Sequence, residues 1–168
     1  RAVGAEAANA GIAARRGSAG RQALLNRVTE IREAGGTLSE AKGVVYATRQ
    51  MESRGYTLVD ASLAYRGRQG IDLIFQGKNG YAIVEAKAGA GLGALKTYSG
   101  LRQGSRAYNE SRLERYLLYS GTHLHDPLAR TLRSEAASLR LESFASFHRG
   151  RSLYELPSGW PLVPAILR

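Results

Sequence analysis

Residues 70–89 read GIDLIFQGKNGYAIVEAKAG, and this stretch decides the fold because it predicts a β-hairpin. Two apolar runs rich in β-branched and aromatic residues flank a turn that contains Asn79 and Gly80. Three ionisable residues, Asp72, Glu85 and Lys87, stand at the open end of this hairpin. Their placement relative to one another is the first question that the sequence raises.

The length of the turn decides which of these residues face each other. A two-residue turn centred on Asn79 and Gly80 places Asp72 opposite Lys87, whereas a four-residue loop from Gly77 to Gly80 places Asp72 opposite Glu85. Both turns put the three side chains on the same face of the sheet, and only a loop of odd length moves Asp72 to the other face. We therefore expect the three groups to converge.

Two interpretations of this cluster stay open. Lys87 could neutralise a carboxylate at an ordinary solvated strand end. Alternatively, the two carboxylates could be a ligand pair: neighbouring carboxylates repel each other unless a cation between them offsets the repulsion. That cation could be Lys87 or a divalent metal. Mg²⁺ is commonly held by one or two carboxylates together with phosphate and water, and such a site has the chemistry to hydrolyse phosphodiester bonds.

Helical periodicity flanks the hairpin on both sides. Before the hairpin, residues 21–33 and 37–54 each predict a helix; Thr37 can cap the second helix, and Gly55 can end it. After the hairpin, residues 101–119 and 127–144 predict two more amphipathic helices, the first with a basic face. Helices on both sides of a hairpin favour a layered fold.

The remaining segments complete the prediction. Residues 57–65 alternate as a strand does, residues 88–100 form a glycine-rich mobile loop, and the proline-rich segment 152–167 suits only an edge strand or an extended tail. Residues 1–20 look like a linker or a loosely held helix. We expect residues 21–168 to form a single domain. We predict an α/β or α+β fold, with a central mixed β-sheet and a core β-hairpin flanked by helices.

Composition narrows the classes of partner. The 168 residues carry a formal charge of +10, which suits a polyanionic partner such as nucleic acid, an acidic membrane face or an acidic protein. There is no cysteine, which excludes disulfides, thiolate zinc sites and cysteine nucleophiles. No segment has the length of a membrane span. The chain does not begin with Met, so we expect a fragment of a longer protein.

The hairpin resembles the metal-binding core of the PD-(D/E)XK nuclease superfamily. Asp72 matches the first acidic ligand, and EAK, Glu85 to Lys87, matches the (D/E)-x-K motif, although Ile71 replaces the proline of the family pattern. The resemblance implies a restriction-endonuclease-like fold, endonuclease activity, Asp72 and Glu85 as metal ligands, and Lys87 as a catalytic residue. It also implies a Mg²⁺ cofactor, and carboxylate ligands accept Mn²⁺ or Zn²⁺ as well.

Many members of this superfamily add a glutamate from a helix before the sheet. By resemblance Glu40 takes that role, as a metal ligand and a catalytic residue, because its segment ends in Gly-Tyr before the first strand. It would share one helix stripe with Val44 and Met51. The structural alternative is a capping box with Thr37. Glu52, on another side of the same helix, is the substitute for Glu40.

Residues 102–113, RQGSRAYNESRL, resemble the Gln-x-Ser motif of C-terminal nuclease toxin domains from bacterial polymorphic toxins, including those of contact-dependent growth inhibition. The resemblance implies that Gln103 is a catalytic-site residue touching water or phosphate, and that the substrate is tRNA or DNA. It further implies a monomeric domain, exported within a larger bacterial protein, that acts in the cytoplasm of the target cell and is neutralised by an immunity protein. For a basic toxin, we expect that partner to be acidic.

Basic and aromatic residues after the hairpin are candidates for nucleic-acid binding. Lys96, Arg102 and Arg106 would contact phosphates, and Tyr98 and Tyr108 would offer rings on which bases stack. The alternative is a solvated basic helix face. Two further functions compete with a nuclease toxin: a non-catalytic nucleic-acid-binding or interaction domain whose hairpin charges are structural, and a housekeeping DNA repair nuclease.

His123, His125 and Asp126 form a second cluster of ligand-type side chains. They lack a convincing fourth ligand for zinc. We therefore predict an ordinary loop before a helix that starts at Pro127.

Overall fold

The structure is a computed structural model and describes residues 2–66, 69–119 and 123–161. Within those residues it contains four α-helices and nine strands. The helices are α1 Ala2–Glu33, α2 Leu38–Ser53, α3 Arg106–Leu118 and α4 Pro127–Ala137. The strands are β1 Thr57–Leu58, β2 Leu63–Arg66, β3 Gln69–Ile71, β4 Leu73–Gly77, β5 Gly80–Lys87, β6 Thr97–Tyr98, β7 Leu101–Arg102, β8 Glu142–Phe147 and β9 Ser152–Glu155.

The central sheet has five strands in the order β1-β4-β5-β8-β9. β4 and β5 form the antiparallel core hairpin, β5 and β8 are parallel, and β9 closes the edge as an antiparallel strand. This mixed sheet, flanked by helices, confirms the predicted α+β fold and the predicted edge strand. Two small ribbons, β2-β3 and β6-β7, lie outside the central sheet.

Each face of the sheet is covered by a helical layer. Side chains that alternate along β4 and β5 point to opposite faces, so Phe75 and Val84 meet Met51 of α2, whereas Ile74 and Ile83 face the α3 and α4 layer. All of these side chains are at most 2% exposed. Burial of each side chain of this size stabilises the fold by about 1.5–3 kcal/mol relative to leaving it in water.

α2 begins and ends as the sequence predicts. The Thr37 hydroxyl accepts a hydrogen bond from the Glu40 backbone N–H at 3.2 Å, and the Glu40 carboxylate accepts one from the Thr37 N–H at 3.0 Å. This reciprocal pair is the predicted capping box. At the other end Gly55 has φ +85°, a conformation that favours glycine and ends the helix.

The core hairpin adopts the second of the two registers considered, through a two-residue turn that lies one residue earlier than Asn79-Gly80. Gly77 pairs with Gly80 and Gln76 with Tyr81, so Lys78 and Asn79 occupy the centre of the turn. Continuing this register places Asp72 opposite Glu85. Asp72 itself forms the break between β3 and β4.

The N-terminal helix is longer than predicted. Residues 1–20 are expected to form a linker or a loosely held helix, but α1 runs without interruption from Ala2 to Glu33. Alanine, the strongest helix former, supplies eight of the first 20 residues and outweighs the four glycines. Although α1 is 32 residues long, neither it nor another helix in the described part of the chain is apolar enough to cross a membrane.

Three other segments differ from their predictions. Residues 57–65 divide between β1 and β2, which belong to different sheets. The loop predicted over 88–100 contains a 3-10 turn, Leu92–Ala94, and β6. The helix predicted over 101–119 starts only at Arg106, because Leu101–Arg102 pairs with β6 and Gly104 then turns the chain at φ +79°.

The helix predicted over 127–144 ends early, and β8 follows it. α4 stops at Ala137, and Leu139, expected on the buried face, has φ +61° and is 57% exposed. The chain then enters the sheet beside β5, where Phe144 is buried. The apolar spacing of this segment fits both a helix and a strand, and pairing with β5 decides in favour of the strand.

Candidate active site

The open end of the core hairpin brings three charged side chains together. The Lys87 ammonium lies 3.3 Å from Glu85 Oε2 and 3.8 Å from Asp72 Oδ2. The backbone N–H of Ala86 donates a hydrogen bond to the same Asp72 oxygen at 3.2 Å, which fixes the carboxylate against β5. The predicted convergence of Asp72, Glu85 and Lys87 on one face of the hairpin is confirmed.

Glu85 is the most buried member of this cluster. Its residue is 1% exposed, and its Oε1 atom has no hydrogen-bond partner. Burial foremost, and then repulsion from Asp72, raise the pKa of the Glu85 carboxyl to about 8, although Lys87 opposes the shift. Ionisation of such a buried carboxyl is costly unless a positive charge lies beside it.

Lys87 remains a cation despite its burial. Burial by itself would lower the pKa of the Lys87 ammonium, but the charges of Asp72 and Glu85 outweigh that effect and raise the pKa. The side chain is 23% exposed, so it stands between the buried Glu85 carboxyl and solvent. Lys87 is therefore placed to meet a ligand that approaches from outside.

A cavity of about 1150 Å³ opens beside the cluster. Asp72 and Lys87 line it, as does Glu40 from the start of α2. Residues of α3 and of the β6-β7 ribbon line it as well. The cavity exceeds the usual volume range of small-molecule pockets, about 300–1,000 Å³, and suits a segment of a larger ligand.

The structure shows Glu40 in the capping role that the sequence offers as the structural alternative. It makes the capping box of α2, and it also lines the cavity. Gly43, one turn further along, lies where α2 packs beside the end of β5, and a Cβ there would make an ordinary contact of 3.7 Å with the Lys87 carbonyl. Glu52, the substitute for Glu40, is exposed on another side of α2, where it lies close to Gly20 of α1.

The acidic residues fit a divalent cation in part. Within the described ranges, no three His, Asp or Glu side chains are grouped to hold a metal ion. Asp72 and Glu85 nevertheless offer two carboxylates, and the unpartnered Oε1 of Glu85 is an oxygen that a cation would satisfy. Mg²⁺ is often bound by one or two carboxylates, with waters and substrate phosphate as its other ligands. The Asp72 and Glu85 carboxylates form a donor set of this kind.

Basic and aromatic residues also line the cavity. Of the predicted nucleic-acid residues, Lys96, Tyr98 and Tyr108 do so, and Tyr98 is 43% exposed near the tip of the β6-β7 ribbon. Arg112 and Arg115 of α3 line the cavity too, and Arg112 packs 5.6 Å from the centre of the Tyr98 ring. The two arginines are noted in the sequence only as part of a basic helix face.

Arg102 and Arg106, the other predicted phosphate contacts, are engaged in the fold. The Arg102 guanidinium donates to the carbonyl of Leu92 at 3.1 Å. Arg106 donates to the Glu110 carboxylate and to the Ala137 carbonyl, both at 3.1 Å. Neither lines the large cavity, so the structure does not bring them together with the hairpin cluster.

Tyr108 and Gln103 are placed at the site, but not as the sequence suggests. Tyr108 is 5% exposed and its ring lies 4.7 Å from the Arg112 guanidinium, so it offers no open face on which a base could stack. Gln103 is 6% exposed, and its Oε1 accepts a hydrogen bond from the Lys96 N–H at 2.8 Å. Both residues line the cavity.

α1 contributes an ion pair that the sequence did not indicate. Arg27 and Glu30 lie 3.0 Å apart and both line the cavity. Their spacing on one helix face is an ordinary surface pattern, and only the packing of α1 beside the hairpin brings them to the site. Glu30 and Glu33 of α1 are therefore further helix-borne acids on this cavity, in addition to Glu40.

The histidine loop has a structural role. The His123 ring stacks on Tyr116 with the ring centres 4.2 Å apart, and the Tyr116 hydroxyl donates to Asp126 at 2.8 Å. Asp126 also accepts a hydrogen bond from the Ala129 N–H and caps α4. The predicted loop before a helix at Pro127 is confirmed.

Comparisons of this chain with protein-family models, with curated proteins and with solved structures found no match.

Proposed function

We propose that this domain is a metal-dependent endonuclease that hydrolyses phosphodiester bonds of nucleic acid. One observation carries the proposal: the carboxylates of Asp72 and of the buried Glu85 lie within 3.8 Å of the Lys87 ammonium, beside a large cavity. Asp72 and Lys87 line this cavity together with the basic residues Lys96, Arg112 and Arg115. The acids suit a divalent cation, and the basic residues suit the phosphates of a nucleic acid.

Asp72 and Glu85 would hold the cation, which when bound polarises a phosphoryl oxygen and makes hydroxide available near neutral pH. Lys87 would hold the developing negative charge of the phosphate, because its ammonium faces the cavity from a fixed position beside both carboxylates. Glu40 would complete the site from α2 by positioning water. Lys96 and Arg112, which line the same cavity, would hold flanking phosphates.

The burial of Glu85 favours this interpretation over a purely structural ion pair. A solvated strand end would leave its carboxylate in water, where pairing with lysine is worth about 0–1 kcal/mol. Here the carboxyl is 1% exposed and keeps an unpartnered oxygen. Perturbed buried acids of this kind concentrate at functional sites.

We extend the proposal to the biological role of the domain, because residues 102–113 resemble the Gln-x-Ser motif of bacterial nuclease toxins. The domain would be the C-terminal toxin of an exported antibacterial protein, acting on tRNA or DNA in the target cell and neutralised by an acidic immunity protein. Production of the domain alone in a bacterial cytoplasm would then arrest growth, and production of Lys87→Ala would not. A housekeeping repair nuclease would allow growth in both cases.

The activity is tested by incubating the purified chain with plasmid DNA and with total tRNA, in Mg²⁺ or in EDTA. We expect cleavage of one of these substrates in Mg²⁺ only, and a loss of about 100-fold or more in Lys87→Ala. Lys78→Ala is the matched control, since Lys78 lies on the same hairpin at the opposite end and is exposed. Binding without cleavage would favour a non-catalytic nucleic-acid-binding domain, and cleavage that survives both EDTA and Lys87→Ala would contradict the assignment.

A further inference from the structure

A basic surface lies on the outer side of α2. Lys42, Tyr46 and Arg49 follow one another at spacings of four and three residues, so their side chains share one face of the helix. Lys42 and Arg49 are exposed, and Tyr46 between them is partly buried. At a rise of 1.5 Å per residue, the two cations stand about 10 Å apart along the helix axis.

The turn between β8 and β9 extends this surface. The His148 ring packs edge-on against the Tyr46 ring, with the ring centres 5.8 Å apart. Arg149 and Arg151 belong to the same turn, and both are exposed. Together these side chains form a continuous surface, here called the basic tract, which comprises Lys42, Tyr46, Arg49, His148, Arg149 and Arg151.

Backbone hydrogen bonds join the basic tract to the end of β5. The His148 N–H donates to the Lys87 carbonyl at 2.9 Å, and the Arg149 N–H donates to the Ala88 carbonyl at 3.4 Å. Lys87 and Ala88 both line the large cavity of the candidate active site. The basic tract therefore begins where this cavity ends, and Arg149 is its nearest cation.

The path of the chain holds this turn in place. Gly150 packs so closely on the loop after β5 that a Cβ there would overlap the Ala90 carbonyl. Arg151 then adopts φ +47°, a left-handed conformation that is uncommon for residues other than glycine, and its N–H donates to the His148 carbonyl at 3.3 Å. Arg149 is thus carried by a tight turn that is packed against the edge of the cavity.

The positive charge of the basic tract is not balanced within the fold. Arginines elsewhere on the surface pair with acids, as Arg106 does with Glu110 at 3.1 Å. Within the described part of the chain, by contrast, no salt bridge joins an acidic side chain to any of the four Lys and Arg residues of the basic tract. Like charges gathered on one surface repel each other, and a polyanion bound there relieves that repulsion.

We propose that the basic tract is an accessory docking surface for the nucleic-acid substrate, which binds the part of the strand that extends from the active-site cavity past Ala88. Lys42, Arg49 and Arg149 each contact a phosphate of that strand. Such contacts carry no sequence information, but they fix the register of the strand across the cleavage site. The inference rests on the proposed nuclease function and gives it a substrate that is longer than the cavity.

The test measures the binding of labelled tRNA and of labelled single-stranded DNA in EDTA, over a range of salt concentrations. The double variant Lys42→Ala/Arg149→Ala removes two phosphate contacts. We expect its Kd to rise about 10- to 30-fold in 0.1 M salt, and the slope of log Kd against log salt to fall by about 1.5. Arg130→Ala/Arg140→Ala is the matched control, because it removes the same charge from exposed positions on and after α4, which covers the other face of the sheet.

A second readout uses the length of the substrate. For cleavage of an oligonucleotide of about 16 nucleotides in Mg²⁺, Lys42→Ala/Arg149→Ala should raise KM and leave kcat unchanged, because the lost contacts lie away from the scissile phosphate. An oligonucleotide of about 4 nucleotides, which the cavity alone can hold, should show the same KM for the variant and the wild type. Damage to the active site would instead lower kcat for both lengths.

The outcomes separate the docking surface from the nuclease. Unchanged binding and an unchanged salt slope in Lys42→Ala/Arg149→Ala overturn the docking surface, and cleavage that needs Lys87 then leaves the nuclease in place. Weaker binding in this variant of a chain that cleaves neither substrate supports the docking of nucleic acid and overturns the nuclease. Equal losses in the control variant overturn the docking surface. Nucleic-acid binding that is kept while the variant no longer binds an acidic protein that co-purifies with the wild type also overturns it, and assigns the basic tract to that protein.

Discussion

Replacement of Glu85 by glutamine should remove a pH dependence of stability from the metal-free protein. Burial and Asp72 hold the pKa of this carboxyl at about 8, against an ordinary value of 4.5. Between these two values the folded protein retains the proton and the unfolded chain releases it. The folded state thus binds more protons, and the free energy of unfolding must fall as pH rises through this interval.

The magnitude follows from the size of the interval. One proton contributes about 1.4 kcal/mol per pH unit, and an interval of about 3.5 units sets an upper limit of about 5 kcal/mol. Water penetration and relaxation around a buried charge reduce this value, so we expect the wild type to lose about 2–4 kcal/mol relative to Glu85→Gln. The full loss of unfolding free energy is reached only above the pKa that Glu85 has in the folded protein.

Urea unfolding in EDTA, at several values from about pH 5 to about pH 8.5, measures the effect. The wild type should become less stable with rising pH relative to Glu85→Gln, and Glu155→Gln, which removes an exposed carboxylate from β9, should follow the wild type. Mg²⁺ added at high pH should stabilise the wild type and have less effect on Glu85→Gln. Parallel stability curves for the wild type and Glu85→Gln would refute the buried, protonated carboxyl.

Three other substitutions test how the fold positions the site, each by denaturant unfolding and by cleavage rate. Gly43→Ala should stabilise the protein by about 0.5–1 kcal/mol with activity kept, because alanine favours the helix and its Cβ would sit at an ordinary 3.7 Å from the Lys87 carbonyl; a loss of stability would mean closer packing. Gly104→Ala should cost about 1–3 kcal/mol, since φ is +79° and the new Cβ meets Leu156; an unchanged midpoint would contradict the turn. Thr37→Ala should cost about 1 kcal/mol through loss of the α2 cap, and no cost would contradict the capping box.

The hairpin could be predicted because its signals are local. Alternation with period two defines both strands, and the same-face placement of Asp72, Glu85 and Lys87 holds for either even-length turn. The choice between the turns could not be made, because Asn79-Gly80 suits the centre of a two-residue turn whereas the structure centres the turn on Lys78 and Asn79. Pairing along the whole of β4 and β5 decides that choice.

Features that depend on contacts between distant segments could not be predicted from the sequence. β8 continues directly from a helical pattern, and only its parallel pairing with β5 shows that Leu139 lies beyond the helix. Glu30 reaches the cavity through the packing of α1, which no local spacing encodes. The sequence suggests Tyr108 as a ring for base stacking, whereas the structure buries this residue and packs Arg112 against its ring.

The most direct measurement is the position of a bound metal in crystals of the protein soaked in Mn²⁺, located by anomalous diffraction. Our account predicts a peak within coordinating distance, about 2.0–2.4 Å, of both the Asp72 and Glu85 carboxylates, with Lys87 beside it. Loss of that peak in Asp72→Asn would confirm the ligand. A protein that cleaves nucleic acid in Mn²⁺ while its crystals show the ion elsewhere, or no ion between these two carboxylates, would contradict the account.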